Sequence, residues 1–341
     1  MKKINLLIIG LLSLLVLSCQ TSAARQEQVR IVIYTSMYTD VIENVKRDLN
    51  NRFPAWQIEF VYSGTGVIQQ WIEADSASGR LKCDIVMIAD PAYSLELKEK
   101  NMLHPFKSKE ASALAFDYDI QGYWYPVRVS NMVLAFNPAR HARNTVPNSF
   151  ADFANDAGAR GAISMRNPLV SGTTMATATA LRDKYGYAYF EALGRQRVMI
   201  DYGNDQTLRK LENGESRVAM ILEESILKIR QERNSSLEVI YPTDGVVVIP
   251  SNIMIINNHW SANKNVKAAE EITEWFLSTE GQTAIVNGWM HSVRKDFHLI
   301  PYNSIPINEI RENSIPVIWE NVFRQRQEIR QRFEEYITRG R

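Results

Sequence analysis

Two apolar runs, residues 127–137 and 245–257, are far longer than any other strand-like stretch after the N-terminal segment, and they interrupt a regular alternation of short strands and helices. Before the first run, 29–34, 58–62 and 84–89 read as strands. Between them lie helices with apolar stripes at Val41, Ile42, Val45 and Leu49, then at Val67, Ile68, Trp71 and Ile72, and a third over 92–100. Apolar residues three and four apart mark one face of a helix, while short continuous apolar runs suit strands buried on both faces. Alternating the two builds βαβ units, and hence mostly parallel sheets covered by helices. The pattern resumes with strand 161–165, helix 173–184 closed by Gly186, helix 188–196, and strands 198–200, 217–222 and 237–241. Helices at 266–278, 282–287 and 317–336 complete it.

With about 320 residues after a leader, the chain exceeds what one core covers, so two lobes are expected. A strand long enough to join two sheets can link such lobes as a hinge. The expected fold is α/β and two-lobed, each lobe a mostly parallel sheet flanked by helices, with the two long runs as crossover strands. No stretch is low-complexity and nothing repeats at a solenoid period.

The chain opens with Met1-Lys2-Lys3 and an apolar run over 4–16. A spanning helix needs roughly 20 apolar residues, so this run reads as the core of a secretory signal. It ends in Val16-Leu17-Ser18-Cys19, which resembles a bacterial lipobox, where cleavage precedes the cysteine and its thiol takes diacylglycerol. Plain cleavage at Ala23-Ala24 is the alternative. Residues 20–28 form a polar linker. Lipidation of Cys19 leaves Cys83, in the strand-like run 81–88, as a buried thiol with no internal disulfide. Lysine and arginine number 39 against 38 aspartates and glutamates. That balance excludes a basic nucleic-acid surface and an acidic tail, so any anion preference must come from local geometry.

Three strand-to-helix junctions share one chemistry: Thr35-Ser36, Ser63-Gly64-Thr65-Gly66 and Ser171-Gly172-Thr173-Thr174. The first amides of a helix are unpaired and carry about half a positive charge, so they bind anions without arginine. Glycine lets backbone approach closely. In parallel α/β sheets these junctions lie at the carboxyl ends of strands, where ligands sit. Each junction alone reads as a simple N-cap; three of them, spread over both halves, point to an anion site. Arg128 pairs with that anion or serves a structural ion pair. Asn204-Asp205 and Glu223-Glu224 are acceptors at further helix starts, suited to hydroxyl or ammonium groups or to capping. Tyr34, Tyr38, Tyr62, Tyr93, Tyr123, Trp124, Tyr125 and Tyr202 fall near expected loop ends, mostly as packing residues, with one or two free to stack on a ligand.

Tyr34-Thr35-Ser36, Tyr62-Ser63-Gly64-Thr65-Gly66, Asp84-Ile85-Val86, Ala89-Asp90-Pro91-Ala92-Tyr93 and the run 128–137 carry a family resemblance. Asn167-Pro168, Ser171-Gly172-Thr173, Gly203-Asn204-Asp205 and the run 241–251 continue it in order. The sequence resembles type 2 periplasmic solute-binding proteins, in the branch handling ferric iron, sugar phosphates and aminoethylphosphonate. The resemblance implies a hinge of two crossover strands, ligand-driven closure, and partnership with an ABC permease and its ATPase. It places one lobe at 29–127 plus 251–300, the other at 128–250, and a helical tail, 301–341, on the second.

Ferric-binding members use an adjacent tyrosine pair in the second lobe. This sequence has no Tyr-Tyr pair, and holds Glu223-Glu224-Ser225 where one is expected. The sugar-phosphate members resemble it better, in a serine near Ser36, a polar pair like Asn204-Asp205 and a glutamate like Glu223 or Glu224. The resemblance therefore implies a small phosphorylated organic anion such as a hexose phosphate or phosphonate, with ferric iron the alternative. Ser36, Ser63, Gly64, Thr65, Arg128, Ser171, Gly172 and Thr173 are the expected phosphate end. Asn204, Asp205, Glu223 and Glu224 are the expected sugar or amine end, with either glutamate facing the cleft. No cofactor, resident metal or nucleic acid is expected, and the location is the periplasm or cell surface on a lipid anchor. An enzyme is disfavoured because the chain lacks Gly-x-Ser-x-Gly, Gly-x-x-x-x-Gly-Lys and His-Glu-x-x-His patterns. A sensor lipoprotein on the same fold is the remaining alternative.

Overall fold

A computed structural model describes residues 29–339. The expected signal segment and Cys19 lie outside the described residues. The chain begins with β1 (Arg30–Thr35), α1 (Thr39–Arg52), β2 (Gln57–Tyr62), α2 (Thr65–Ala77), β3 (Ile85–Ile88) and α3 (Pro91–Glu99). β4 (Tyr125–Phe136) then leads to α4 (Phe150–Asn155), β5 (Ile163–Arg166), α5 (Gly172–Tyr185), α6 (Ala188–Arg195), β6 (Met199–Asp201) and α7 (Asn204–Asn213). Next come β7 (Val218–Leu222), α8 (Glu223–Arg233), β8 (Glu238–Ile240) and β9 (Val246–Ile255). The chain closes with α9 (Val266–Leu277), α10 (Thr279–Asn287), α11 (Ile307–Glu312), β10 (Ser314–Ile315), α12 (Trp319–Arg324) and α13 (Arg326–Arg339).

The strands run in the order β2-β1-β3-β9-β4-β7-β5-β6, with β10 on β9 and β8 on β4. β1 is parallel to β2 and β3, and β5 is parallel to β6 and β7. Each parallel set buries its helix-covered faces, as crossover connections require. β4 and β9 run antiparallel to each other and to their outer neighbours, and they join the two sets.

These long strands each feed two cores. Val127, Val129, Ile253 and Ile255 pack with Ile31, Ile33, Trp275 and Phe276. Met132, Leu134, Phe136, Val247 and Ile249, further along the same strands, pack with Phe150, Phe153 and Phe190. The result is a two-lobed α/β fold whose lobes share two strands. The pairing of β4 with β9 shifts register between Pro126 and Arg128. Such a bulge absorbs a proline within a strand and re-aims the residues that follow it.

The expected single helix over 317–336 is two helices. α12 packs on α3 and α5 whereas α13 packs on α6, and one straight helix cannot serve both surfaces. Phe333 of α13 meets Phe190 edge-on at 5.4 Å, and Ile329 and Ile337 are buried in the same core. Arg326 reaches the other way, to Asp90 at 2.8 Å. Cys83 is a fully buried free thiol in a third cluster, and burial pushes its pKa up.

Candidate functional site

Helix starts dominate the space between the lobes. A cavity of about 440 Å³ is lined by the first residues of α1, α2, α5, α7 and α8, and by Arg128 and Ser130 from β4. The volume lies in the roughly 300–1,000 Å³ range of organic-ligand sites. The βα junctions converge because each follows the carboxyl end of a strand in the lobe sheets. Among the described residues, the N-caps of α1, α2, α7 and α8 (Tyr38, Gly64, Gly203 and Leu222) make no side-chain cap bond. Their first amides are therefore not satisfied by caps. α5 differs: Ser171 Oγ accepts from the Thr174 amide at 3.3 Å and bonds the Thr173 hydroxyl at 3.1 Å. Ser171 is thus a helix cap as well as a cavity wall.

Arg128 forms the floor. It is 2% exposed, yet among the described residues it has no ion-pair partner. One terminal nitrogen donates to Ser36 Oγ at 3.3 Å, the other to Met290 Sδ at 3.1 Å, and Nε has no partner. Burial pulls its pKa down, which Glu224 partly offsets. A desolvated guanidinium with no direct ion pair costs several kcal/mol, which an anion in the cavity would offset. Arg166 also lines the cavity with an unpartnered Nε.

Acceptors line the same cavity. Glu224 is 2% exposed and accepts from Ser130 Oγ at 2.7 Å. Burial pushes its carboxyl up to about 7, against the opposing effects of Ser130 and Arg128. Asn204 Nδ2 donates to Tyr38 Oη at 2.6 Å and to Ser225 Oγ at 3.1 Å, which leaves its Oδ1 without a partner. Asp205 sits exposed on the rim.

Of the twelve residues expected to bind ligand, eleven line this one cavity; the exception is Glu223. Its carboxylate turns away into a separate buried cluster. One oxygen accepts from Tyr241 and Ser304 at 2.5 Å each; the other accepts from Asn131 at 2.7 Å and bonds His291 Nε2 at 3.0 Å. Burial alone would raise its pKa, but the His291, Asn131 and Ser304 hydrogen bonds hold it below the ordinary carboxylate value.

Sequence reading missed Ser130, Arg166 and Lys228 as cavity residues. Ser130 follows Arg128 by two in a strand and so shares its face. Lys228 follows Glu224 by four in a helix and shares its stripe; it pairs with Asp40 of the other lobe. The lobes are closed on each other. Gly66 N donates to Val170 O at 3.3 Å, and a Cβ on Gly172 would lie 2.8 Å from Ala89 O.

The model of a family described as bacterial extracellular solute-binding protein matches residues 81–303. No curated protein matches the chain. Among solved structures, AfuA from Actinobacillus pleuropneumoniae with fructose-6-phosphate bound is 18% identical, with TM-score 0.78 over 92% of this chain and 99% of that one. Iron-bound HitA from Pseudomonas aeruginosa is 17% identical, with TM-score 0.78 over 90% and 99%. The substrate-binding protein of an ABC transporter from Agrobacterium tumefaciens is 14% identical, with TM-score 0.80 over 92% and 96%. At these identities the likeness shows a shared fold.

Proposed function

The chain belongs to the bacterial extracellular solute-binding proteins, and from there we propose that it captures a small phosphorylated organic anion in the interlobe cleft and delivers it to an ABC permease and its ATPase. The observation carrying this reading is Arg128: a buried cation with an unpartnered Nε beneath several uncapped helix starts. Phosphate oxygens accept from guanidinium, hydroxyl and amide donors together. Ser36, Ser63, Gly64, Thr65, Ser171, Gly172 and Thr173 then surround the phosphate, while Asn204, Asp205 and Glu224 accept from hydroxyl or ammonium groups of the ligand body. Glu223 is left out of this assignment and holds the start of α8 in place. Cys19 carries the lipid that keeps the protein at the membrane.

Ferric iron is the second reading, supported by the Tyr38 phenol among the lining groups near Glu224. Burial and Glu224 both push that phenol's pKa up. This opposes the phenolate that ferric iron needs, and Arg128 repels a cation.

Isothermal titration of wild type and Arg128→Met with fructose 6-phosphate and inorganic phosphate tests the assignment. A buried charged hydrogen bond is worth roughly 1.5–3 kcal/mol, so the variant should lose on the order of tenfold to a hundredfold for both ligands. Equal binding by the variant refutes the phosphate site. A tyrosinate-coloured complex with Fe(III), together with no phosphate binding, supports the iron reading instead. Release of inorganic phosphate from the ester during the titration would point to an enzyme.

A further inference from the structure

We infer, resting on the anion reading above, that the ligand is a phosphate monoester whose body is a ring, held between Tyr62 and Tyr202 at the mouth of the cleft. The cavity wall is otherwise built mostly of small and polar side chains. Tyr62, at the carboxyl end of β2, and Tyr202, between β6 and α7, line it from opposite lobes, and they are 47% and 67% exposed. Tyr34, Tyr93 and Tyr125, by contrast, are packed into cores. An exposed tyrosine face is a large apolar area left in water, and it gains most by covering another flat or cyclic surface.

Tyr202 is also set in place. Its amide donates to Gln206 Oε1 at 2.8 Å and its carbonyl accepts from Arg166 at 3.4 Å, so the backbone is held while the ring stays open. The gradient of exposure orders the ligand. The phosphate goes to buried Arg128, and the ring goes to the two exposed tyrosines. Hydroxyl or amine substituents then meet the unpartnered Oδ1 of Asn204, two residues from Tyr202. A short open-chain phosphonate would fill the floor and leave both rings uncovered.

Calorimetry with fructose 6-phosphate, phenyl phosphate, glycerol 3-phosphate, 2-aminoethylphosphonate and inorganic phosphate separates these cases. Wild type should bind the two ring-bearing esters at least about tenfold tighter than the open-chain compounds. Tyr62→Ala and Tyr202→Ala should each lose roughly three- to tenfold for the ring esters, and the double variant should lose the preference altogether. Their binding of inorganic phosphate should stay within about twofold, and Tyr→Phe at either site should keep the preference. Equal affinity for cyclic and open-chain esters, or a preference that survives in the double variant, overturns the ring assignment while the anion site stands. Failure of wild type to bind any of the five, inorganic phosphate included, overturns the anion reading and the ring assignment with it.

Discussion

Glu223 and Glu224 are neighbours in sequence and open the same helix, yet they belong to different regions of the molecule. Glu223 is ringed by four hydrogen-bond donors drawn from four separate segments, and its charge is held by them. Glu224 is equally buried but receives one side-chain donor, Ser130, and faces an open cavity. Burial without enough donors raises a carboxyl's pKa; burial with them can lower it. The difference separates two jobs. The donors a carboxylate needs are supplied in full by the fold at Glu223 and only in part at Glu224, which leaves room for donors from a ligand.

Glu223→Gln removes the charge but keeps the shape. Its hydrogen bonds are to a charged group, so the loss should be about 3 kcal/mol of stability, read as a lower urea midpoint at unchanged slope. Ligand affinity of the folded fraction should barely move. The reverse outcome, stable but unable to bind, would erase the contrast between the two sites.

Glu224→Gln should behave oppositely, and pH sharpens the test. The folded value for Glu224, about 7, lies above its ordinary 4.5, so the folded state holds the extra proton. Stability therefore falls as pH rises from about 4.5 to 7, and the penalty is complete above that window. The shift corresponds to up to about 3 kcal/mol. Glu224→Gln should match wild type near pH 4 and exceed it at pH 8. Glu223 is depressed, so its stabilisation is present above the ordinary carboxylate value and is lost as pH falls through its lower folded value. The Glu223→Gln deficit should accordingly shrink in acid. Urea midpoints against pH for the three proteins would show parallel curves if the two environments were alike. At pH 8, Glu224→Gln should also bind hydroxyl-bearing phosphate esters on the order of tenfold more weakly while sparing inorganic phosphate.

Gly172→Ala tests the closed cleft rather than its chemistry. The added Cβ would meet the Ala89 carbonyl and the Thr65 side chain of the other lobe, with nothing soft to yield on the backbone side. Affinity should drop several-fold to tenfold with little change in thermal stability, and the scattering change on adding ligand should shrink. An unchanged scattering response would mean that closure does not bring these surfaces together. Asp205→Asn, on the exposed rim, should change affinity by less than about twofold, since exposed charges contribute little. A larger loss would give Asp205 a share comparable to Glu224, and no loss at all would remove it from the binding set.

Much of this was legible in the sequence for a local reason. The Ser-Gly-Thr junctions announce helix starts within four residues, and long apolar runs announce β4 and β9. Which of two adjacent helix residues faces a cleft is not local. Successive residues on a helix point about 100° apart, and the choice depends on what packs on each side. Asn131, His291, Tyr241 and Ser304 come from distant segments, so nothing near Glu223 in the chain reveals its enclosure. Arg166 and Ser130 were hidden because an apolar strand does not show which end or face opens on a cavity. The break between α12 and α13 was hidden because it answers to two packing surfaces.

Native mass spectrometry of wild type and Arg128→Met, each as purified and after adding fructose 6-phosphate, addresses the cleft most directly. A site built on a buried arginine with no direct ion pair should hold one phosphorus-bearing organic molecule per wild-type chain, and the variant should hold far less at the same added concentration. Wild type carrying iron and no phosphorylated compound, or a variant retaining the ester as fully as wild type does, would contradict it.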